Sequence, residues 1–134
     1  MANAIYTNLK NRLLAGSLVF DTASIMVSLV NAGYTFSAAH TDWSTISSNV
    51  VGTPQTLSST TVSGQTEVGG DTNYTGVAAS LTVKAIIIWE DQGGGDGDLL
   101  LYFDTGTGLP LTTDGNVITI HWNNTTPTGN IWGF

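Results

Sequence analysis

The aliphatic segment between Val83 and Glu90 constrains the fold more than any other part of the sequence. Its five consecutive apolar residues, Ala85 to Trp89, include three isoleucines in a row. Consecutive side chains of an extended chain point to opposite faces, so β-branched residues occupy both faces of this segment. A membrane-spanning helix needs about 20 apolar residues, many more than this run contains. We therefore predict that Val83–Glu90 is the central strand of a β-sheet.

Other segments also have strand-like patterns. In Ser24–Leu29, aliphatic residues alternate with serine and methionine, which predicts a strand that is buried mainly on one face. Leu99–Asp104 and Val117–Trp122 are predicted to be strands as well. The Thr-rich run Thr56–Ser63 is interpreted as an exposed or edge strand. Asn31–Ser48, which holds several aromatic residues, is predicted to be a long loop.

Glycine-containing breaks separate the predicted strands. Gly69–Asp71 interrupts the chain, Gly106–Pro110 predicts a turn, and Asp114–Asn116 suits a tight hairpin. Short strands that recur between such turns are typical of an antiparallel sandwich. The sequence therefore predicts a single, mostly β domain over residues 1–134, an antiparallel β-sandwich of jelly-roll-like type with one short N-terminal α-helix.

The predicted helix covers about residues 3–15. Ile5, Leu9 and Leu13 recur every four residues and form one apolar stripe, and Gly16 follows as a plausible stop. Such a helix either packs on the protein's own sheet or docks on a partner.

The charge balance excludes several classes of partner. Charged residues make up 10% of the chain, far below the roughly 25% of an ordinary soluble domain. The net charge is −7, and Lys10, Arg12 and Lys84 are the only lysine or arginine residues. So few basic residues cannot neutralise a nucleic-acid backbone, and an anionic membrane surface would repel the chain. We therefore expect neither nucleic acid nor a membrane as partner. As a separate point, we expect no signal peptide.

The acidic, glycine-rich segment Glu90–Asp98 is the most suggestive candidate for metal binding, because Ca²⁺ prefers carboxylate oxygens. It is similar to the Gly-Gly-x-Gly-x-Asp calcium repeats. Those repeats work as stacked arrays, however, and this chain has a single copy. We predict a hairpin tip with no metal and no other cofactor. In the calcium alternative, the ligands would be Asp91, Asp96 and Asp98.

No catalytic constellation is recognisable in the sequence. His40 and His121 are the only imidazoles, and His40 stands two residues before Asp42. His121 is predicted to lie on a sheet face, and no serine is singled out as a nucleophile for either histidine. The absence of cysteine excludes disulfides and a cysteine nucleophile. We therefore predict a non-enzymatic protein without catalytic residues.

Aromatic residues offer candidate binding surfaces. The two tryptophans inside predicted strands are assigned to the core, whereas Trp43 and Trp132 have the chemistry to stack on sugar rings. The C-terminal residues either tuck into the chain's own sandwich or insert into a neighbour. The predicted partner contacts are Trp43, Ile131, Trp132 and Phe134.

The order of these features resembles a family of small virion proteins of tailed phages. Their N-terminal part has a short helix, a glycine, a strand and an aromatic loop with a histidine, here Ile5–Gly16, Ile25–Val30, Tyr34–Thr35 and His40. Their C-terminal part has an aliphatic strand that leads to an acidic turn, a second strand, a Gly/Pro loop and a closing strand. The last two strands correspond here to Leu99–Asp104 and Val117–Trp122.

The resemblance implies a capsid decoration (cement) protein. Such proteins are typically β-rich and trimeric, and they lie on the outer surface of the shell across junctions between major capsid subunits. It thus implies a homotrimer that is made in the host cytoplasm, binds the major capsid protein and becomes part of the virion. Many members carry a Glu-x-x-Gly-Thr-Gly-Tyr phrase that this sequence lacks, so a tail or head–tail connector component is an alternative. From a different class, a carbohydrate-binding β-sandwich module is the other alternative.

Overall fold

The computed structural model describes residues 3–58, 60–63, 66–122 and 129–133. These residues form a mostly β structure with antiparallel strand pairs and one short helix near the N-terminus, which confirms the predicted fold class. The elements in chain order are β1 (Ala4–Ile5), α1 (Thr7–Leu14), β2 (Ile25–Val30), β3 (Val50–Thr56), β4 (Thr61–Ser63), β5 (Thr66–Gly69), β6 (Thr72–Tyr74), β7 (Thr82–Val83), β8 (Ala85–Gly93), β9 (Asp96–Phe103), β10 (Leu111–Thr112), β11 (Ile118–Ile120) and β12 (Gly129–Gly133).

Five strands form the main sheet, in the order β1-β9-β8-β2-β3. β8 pairs with β9 on one side and with β2 on the other, so the aliphatic segment is the central strand, as predicted. This strand begins at Ala85 because Thr82 and Val83 pair with β10 instead. β8 and β9 form a hairpin that turns at Gly94 and Gly95.

Both faces of the main sheet are buried. Along β8, Ile86 and Ile88 pack into one hydrophobic cluster, whereas Ile87 and Trp89 pack into another. On β2, even Ser28 is fully buried. The prediction that β2 is buried mainly on one face was therefore wrong. Its second face is covered by the loop that follows β2 in the chain, which the local pattern of serine and methionine does not reveal.

Two antiparallel ribbons cover the first face of the sheet. β7 pairs with β10, and β6 pairs with β11. Tyr74, Val83 and Ile118 from these ribbons pack in the same cluster as Val27 and Ile88 of the sheet. The Tyr74 hydroxyl also donates to the Val27 carbonyl oxygen, at 2.5 Å. Sheet and ribbons form a sandwich-like arrangement, and we call this side the ribbon face.

The loop over residues 31–49 covers the second face, which we call the loop face. This segment is a long loop, as predicted, and it contains two short 3₁₀ turns, Trp43–Thr45 and Ser47–Asn49. Ile46 is fully buried against the sheet. The Phe36 ring lies 4.8 Å from the ring of Tyr102, between ring centroids. The main sheet thus lies between two covering layers.

A bulge at Leu100 changes the alternation of side chains along β9. Ile88 pairs with Leu101 and Trp89 pairs with Leu99, so Leu100 is the extra residue. Leu100 and Leu101 consequently both pack on the ribbon face, whereas Leu99 packs on the loop face.

The helix is shorter than predicted, because the first residues of the predicted segment form a strand. Ala4–Ile5 pairs with Leu101 and Tyr102 at the edge of the main sheet, and the Tyr6 N–H donates to the Leu100 carbonyl at 3.0 Å. The first N–H groups of a helix have no partner inside the helix, whereas the edge of β9 provides partners for the same stretch of chain.

Helix α1 packs on the protein's own sheet, the first of the two predicted alternatives. Leu9 is fully buried, Leu13 is half-buried, and α1 contacts β9. Gly16, with a φ of 65°, follows the helix end as predicted. Within the described residues, no helix is long and apolar enough to span a membrane.

The predicted strand Thr56–Ser63 is divided between two sheets. β3 ends at Thr56, and β4 belongs to a separate three-stranded sheet in the order β12-β5-β4. Between them Leu57 is buried, and its N–H donates to the Ile25 carbonyl at 2.8 Å. Burial of the Leu57 side chain fixes the place where the chain leaves the main sheet.

The turn Asp114–Asn116 does not join two paired strands, so the predicted tight hairpin is wrong. β10 pairs with β7 and β11 pairs with β6, and the turn links the two ribbons. The Asp114 side chain accepts a hydrogen bond from the Asn116 N–H at 3.0 Å, which closes the turn locally. β11 is also shorter than the predicted strand Val117–Trp122.

Candidate functional site

The acidic hairpin tip is organised around an arginine. Arg12 reaches from α1 to the β8–β9 hairpin and donates to the carboxylates of Glu90 and Asp98, the latter at 2.8 Å. The three side chains are only 14–24% exposed, so their charges are screened less than those of a surface pair. The Gln92 amide also donates to Asp98, at 2.8 Å. A guanidinium therefore occupies the position where a cation would neutralise these carboxylates.

The three calcium candidates have separate partners. Asp98 is held by Arg12. Asp91 and Asp96 each accept a hydrogen bond from a backbone N–H of the hairpin, at 2.8 and 2.9 Å. Within the described ranges, no three His, Asp or Glu side chains are grouped closely enough to hold a metal ion. The hairpin geometry gives each of these carboxylates a local structural role.

Asp42 meets the same hairpin from the loop face, where it forms an isolated bridge with Asp98. A hydrogen bond with the Asp42 carboxyl raises the pKa of Asp96. Hydrogen bonds from Ser44 lower the pKa of Asp42.

Trp43 is a predicted partner contact that the structure places partly inside the fold. Its ring stacks on Trp89 with 4.1 Å between centroids and 22° between planes. Trp89 is buried, and its indole N–H donates to the Ser28 hydroxyl at 2.9 Å. One face of Trp43 therefore packs on the core, and the side chain is half-buried.

The other predicted partner contacts are at the C-terminus. Ile131 and Trp132 lie on β12, whose backbone pairs with β5, but their side chains are outside the described part of the structure. Phe134 lies outside the described residues. The proposal that these side chains contact a partner stays a prediction.

His40 belongs to a chain of hydrogen bonds under the loop. Its Nδ1 lies 2.9 Å from the Tyr34 hydroxyl, which lies 2.9 Å from the Tyr6 hydroxyl. Burial raises the pKa of both tyrosines, so both phenols keep their protons. Asp42 accepts from the Ser44 N–H at 2.7 Å, so the two residues of the His40–Asp42 spacing have different partners.

His121 forms an imidazole–carboxylate pair that the sequence analysis missed. Its Nδ1 lies 2.8 Å from Oδ2 of Asp71, and both side chains are exposed. The register of the β6–β11 ribbon places Ile120 opposite Thr72, so the next residues along the two strands meet. The signal for this pair is the strand register, which cannot be read before the two strands are known to be neighbours.

An open groove lies on the ribbon face, and we call it the ribbon groove. It has two lobes, with volumes of about 380 and 530 Å³. Residues of β10 and β11 line the first lobe, and residues of β11 and the end of β9 line the second. The side chains shared by both lobes are Ile86, Thr107, Leu109, Thr119 and Ile120.

The ribbon groove has an apolar floor and a polar rim. Ile86 and Phe103 of the main sheet are only partly buried there, because the ribbons leave them uncovered. Asn3, Thr107 and His121 contribute polar groups to the lining of the second lobe. A concave apolar surface with a few polar groups is the usual form of a binding site. The sequence showed these strands but gave no means to predict the gap between them.

Four large apolar side chains are exposed on the described surface, and one of them, Val117, lines the first lobe of the ribbon groove. Leu14 and Val19, on either side of the turn that ends α1, are 89% and 57% exposed. Val117 and Leu81, next to the ribbons, are 60% and 40% exposed.

Comparisons with known proteins found no relative of this chain. No protein-family model, no curated protein and no solved structure matches the chain.

Proposed function

We propose that the protein is a non-enzymatic capsid decoration protein of a tailed phage, which binds the outer surface of the assembled shell. One observation carries the proposal. The segments in which the sequence resembles phage virion proteins, from α1 through β2 and the aromatic loop to β8 and β9, pack together around the main sheet, and the closing strand packs on its ribbon face. The resemblance therefore covers one continuous packed unit of the fold.

The surface chemistry supports the same function. Cores of protein–protein interfaces are depleted in charged residues, and this chain has only 10% charged residues. Leu14 and Val19 expose apolar area close together in sequence at the end of α1. A surface of this kind suits contact with another protein.

The interface area that a decoration protein needs is small compared with the surface of this protein. A ligand that binds only the assembled shell stabilises that shell by mass action. A standard interface takes about 800 Å² from each partner. The accessible surface here is 6740 Å², so one contact with the major capsid protein leaves room for contacts within a homotrimer.

The test is the copy number of this chain in purified virions, measured by quantitative mass spectrometry against the major capsid protein. A decoration protein is expected at a copy number comparable to that of the shell subunits, and virions that lack it should lose their DNA at a lower temperature. A copy number in the tens or fewer would contradict the proposal and favour a tail or head–tail connector component.

A sugar-binding module is tested separately with a glycan array. The decoration protein is expected to give no hits. Hits that are lost in a Trp43→Ala variant with an unchanged fold would contradict the proposed function.

A further inference from the structure

We propose that the ribbon groove is a docking site for an extended segment of a partner protein, in which apolar side chains alternate with basic ones. The inference goes beyond the proposed function, because it rests on the groove alone and holds for a shell subunit or for any other protein partner.

The groove is bordered by strand edges. In the described part of the chain, β10 has only β7 as a strand neighbour, and β11 has only β6. Leu111–Thr112 and Ile118–Ile120 line the same lobe. The edge of a strand that faces away from its neighbour presents N–H and C=O groups, which an added strand can pair with. The backbone of the site therefore favours an occupant in extended conformation.

The floor of the groove requires apolar side chains on one face of that occupant. Ile86, Phe103 and Leu109 pack against the core and remain partly exposed toward the groove. Side chains of an extended strand alternate between its two faces, so every second residue of the occupant points toward this floor.

The rim of the groove is acidic. Asp114 lines the first lobe. The Asp71 carboxylate lies 2.8 Å from Nδ1 of His121, which lines the second lobe. The carboxylates of Asp114 and Asp71 attract basic side chains on the outward face of an occupant.

The basic residues of the protein lie elsewhere. Arg12 is held by the carboxylates of the β8–β9 hairpin, and Lys10 is on the same helix. The Lys84 ammonium group lies 3.5 Å from the Tyr34 carbonyl oxygen on the loop face. These three are the only Lys and Arg residues in a chain of net charge −7, so a second copy of the chain would be repelled. The charge pattern favours a basic partner.

The probe is a phage-displayed library of short random peptides, panned against the purified full-length protein. We expect enriched peptides in which apolar residues alternate with Lys or Arg. An enriched peptide is then synthesised and titrated by calorimetry. The same peptide with N-methyl groups on alternate backbone nitrogens is expected to bind about tenfold more weakly, because it cannot pair with a strand edge. Failure to enrich any peptide, enrichment of acidic peptides, or equal binding of the methylated peptide would overturn the proposal.

The groove itself is tested with two variants at one exposed position. Thr107→Trp fills both lobes at their junction, and Thr107→Lys reverses the local field. Each should weaken the enriched peptide about tenfold with an unchanged circular dichroism spectrum. Thr22→Trp, at an exposed threonine outside the groove, is the matched control. Equal loss in the control, or a self-association of the wild-type protein that Thr107→Trp abolishes, would reject a basic peptide partner.

Discussion

Arg12 connects three elements through one side chain. It starts on α1 and ends between Glu90 of β8 and Asp98 of β9, and its second terminal nitrogen donates to the Ser17 carbonyl at 2.8 Å. A planar guanidinium can satisfy several acceptors at once, which a lysine ammonium in the same place would do less well.

Replacement of Arg12 by alanine should lower the free energy of unfolding by about 2–3 kcal/mol, because two partly buried carboxylates lose their counter-charge. Chemical denaturation measures the difference. Lys10→Ala, at an exposed position on the same helix, is the control and should change stability by less than about 0.5 kcal/mol. Equal effects of the two variants would contradict this account of Arg12.

Gly97 is required by close packing. A Cβ at this position would lie 2.5 Å from Cε3 of Trp89 and 2.7 Å from the Glu90 carbonyl oxygen. Gly97→Ala should therefore destabilise the protein by about 1–3 kcal/mol. Gly106→Ala is the matched control, because its Cβ would meet only Leu109, at 3.6 Å. A thermal melt that ranks Gly106→Ala as the less stable variant would contradict the prediction.

The four tyrosines make the fold sensitive to alkaline pH. Burial raises the pKa of Tyr6, Tyr34 and Tyr74, and together with the Asp104 charge it raises the pKa of Tyr102 to about 12. The folded protein therefore binds phenolic protons more tightly than the unfolded chain, whose tyrosines have their ordinary pKa near 10. The resulting stability is complete below about pH 10 and is lost as the pH rises toward 12.

Phenolate absorbance and circular dichroism, followed together during titration with base, should change in one common transition. Tyrosine ionisation near pH 10 in a protein with an unchanged spectrum would contradict the burial of these phenols.

At the scale of elements, the loop over residues 31–49 behaves as a structural layer. Ile46 is fully buried, Tyr34 is buried and bonded to Tyr6, and Trp43 stacks on Trp89. Because this loop is anchored at three points along its length, we expect its amide protons to exchange more slowly than those of an ordinary loop without regular structure.

Ile46→Ala should cost about 2–4 kcal/mol and should increase hydrogen exchange mainly in residues 31–49, because the side chain anchors the middle of this loop. Leu14→Ala, which removes an 89% exposed side chain, is the control and should leave both measurements almost unchanged. Faster exchange that is spread evenly over the main sheet would contradict a local role for Ile46.

Local patterns predicted most elements of the main sheet. The isoleucine run located β8, the alternation after Ser24 located β2, and the glycine-rich acidic segment located the hairpin turn. The predictions for the first turn of the helix and for the Asp114–Asn116 hairpin were wrong, because strand partners distant in sequence determine the structure of both segments. An apolar stripe at helical spacing does not exclude a strand where an open sheet edge lies nearby.

At the scale of the molecule, β8 supplies side chains to both hydrophobic clusters. Ile88 packs on the ribbon face and Ile87 on the loop face, so neither cluster can come apart without exposing the same strand. We expect unfolding in a single step for the residues that contact the main sheet.

Tryptophan fluorescence, to which the stacked Trp43 and Trp89 contribute, and far-ultraviolet circular dichroism should give the same denaturation midpoint in urea. Two separated midpoints would show that the loop layer and the sheet unfold independently.

The candidate sites were less predictable than the fold. The acidic residues of the hairpin were found in the sequence, but their partner Arg12 lies 78 and 86 positions away. The ribbon groove depends on where two short ribbons stop, and no single residue type marks its position. Chemistry that is local in sequence was visible, and chemistry created by packing was not.

The extra residue at Leu100 sets the phase between the two ends of β9. Side chains alternate between the two faces of the sheet both before and after Leu100, and the extra residue shifts this alternation by one position. Deletion of Leu100 would restore unbroken alternation and keep Leu99 on the loop face and Leu101 on the ribbon face, each still opposite its partner on β8. Loss of one residue at the bulge would therefore leave a cavity on the ribbon face, where Leu100 is fully buried, and would not displace the rest of the strand.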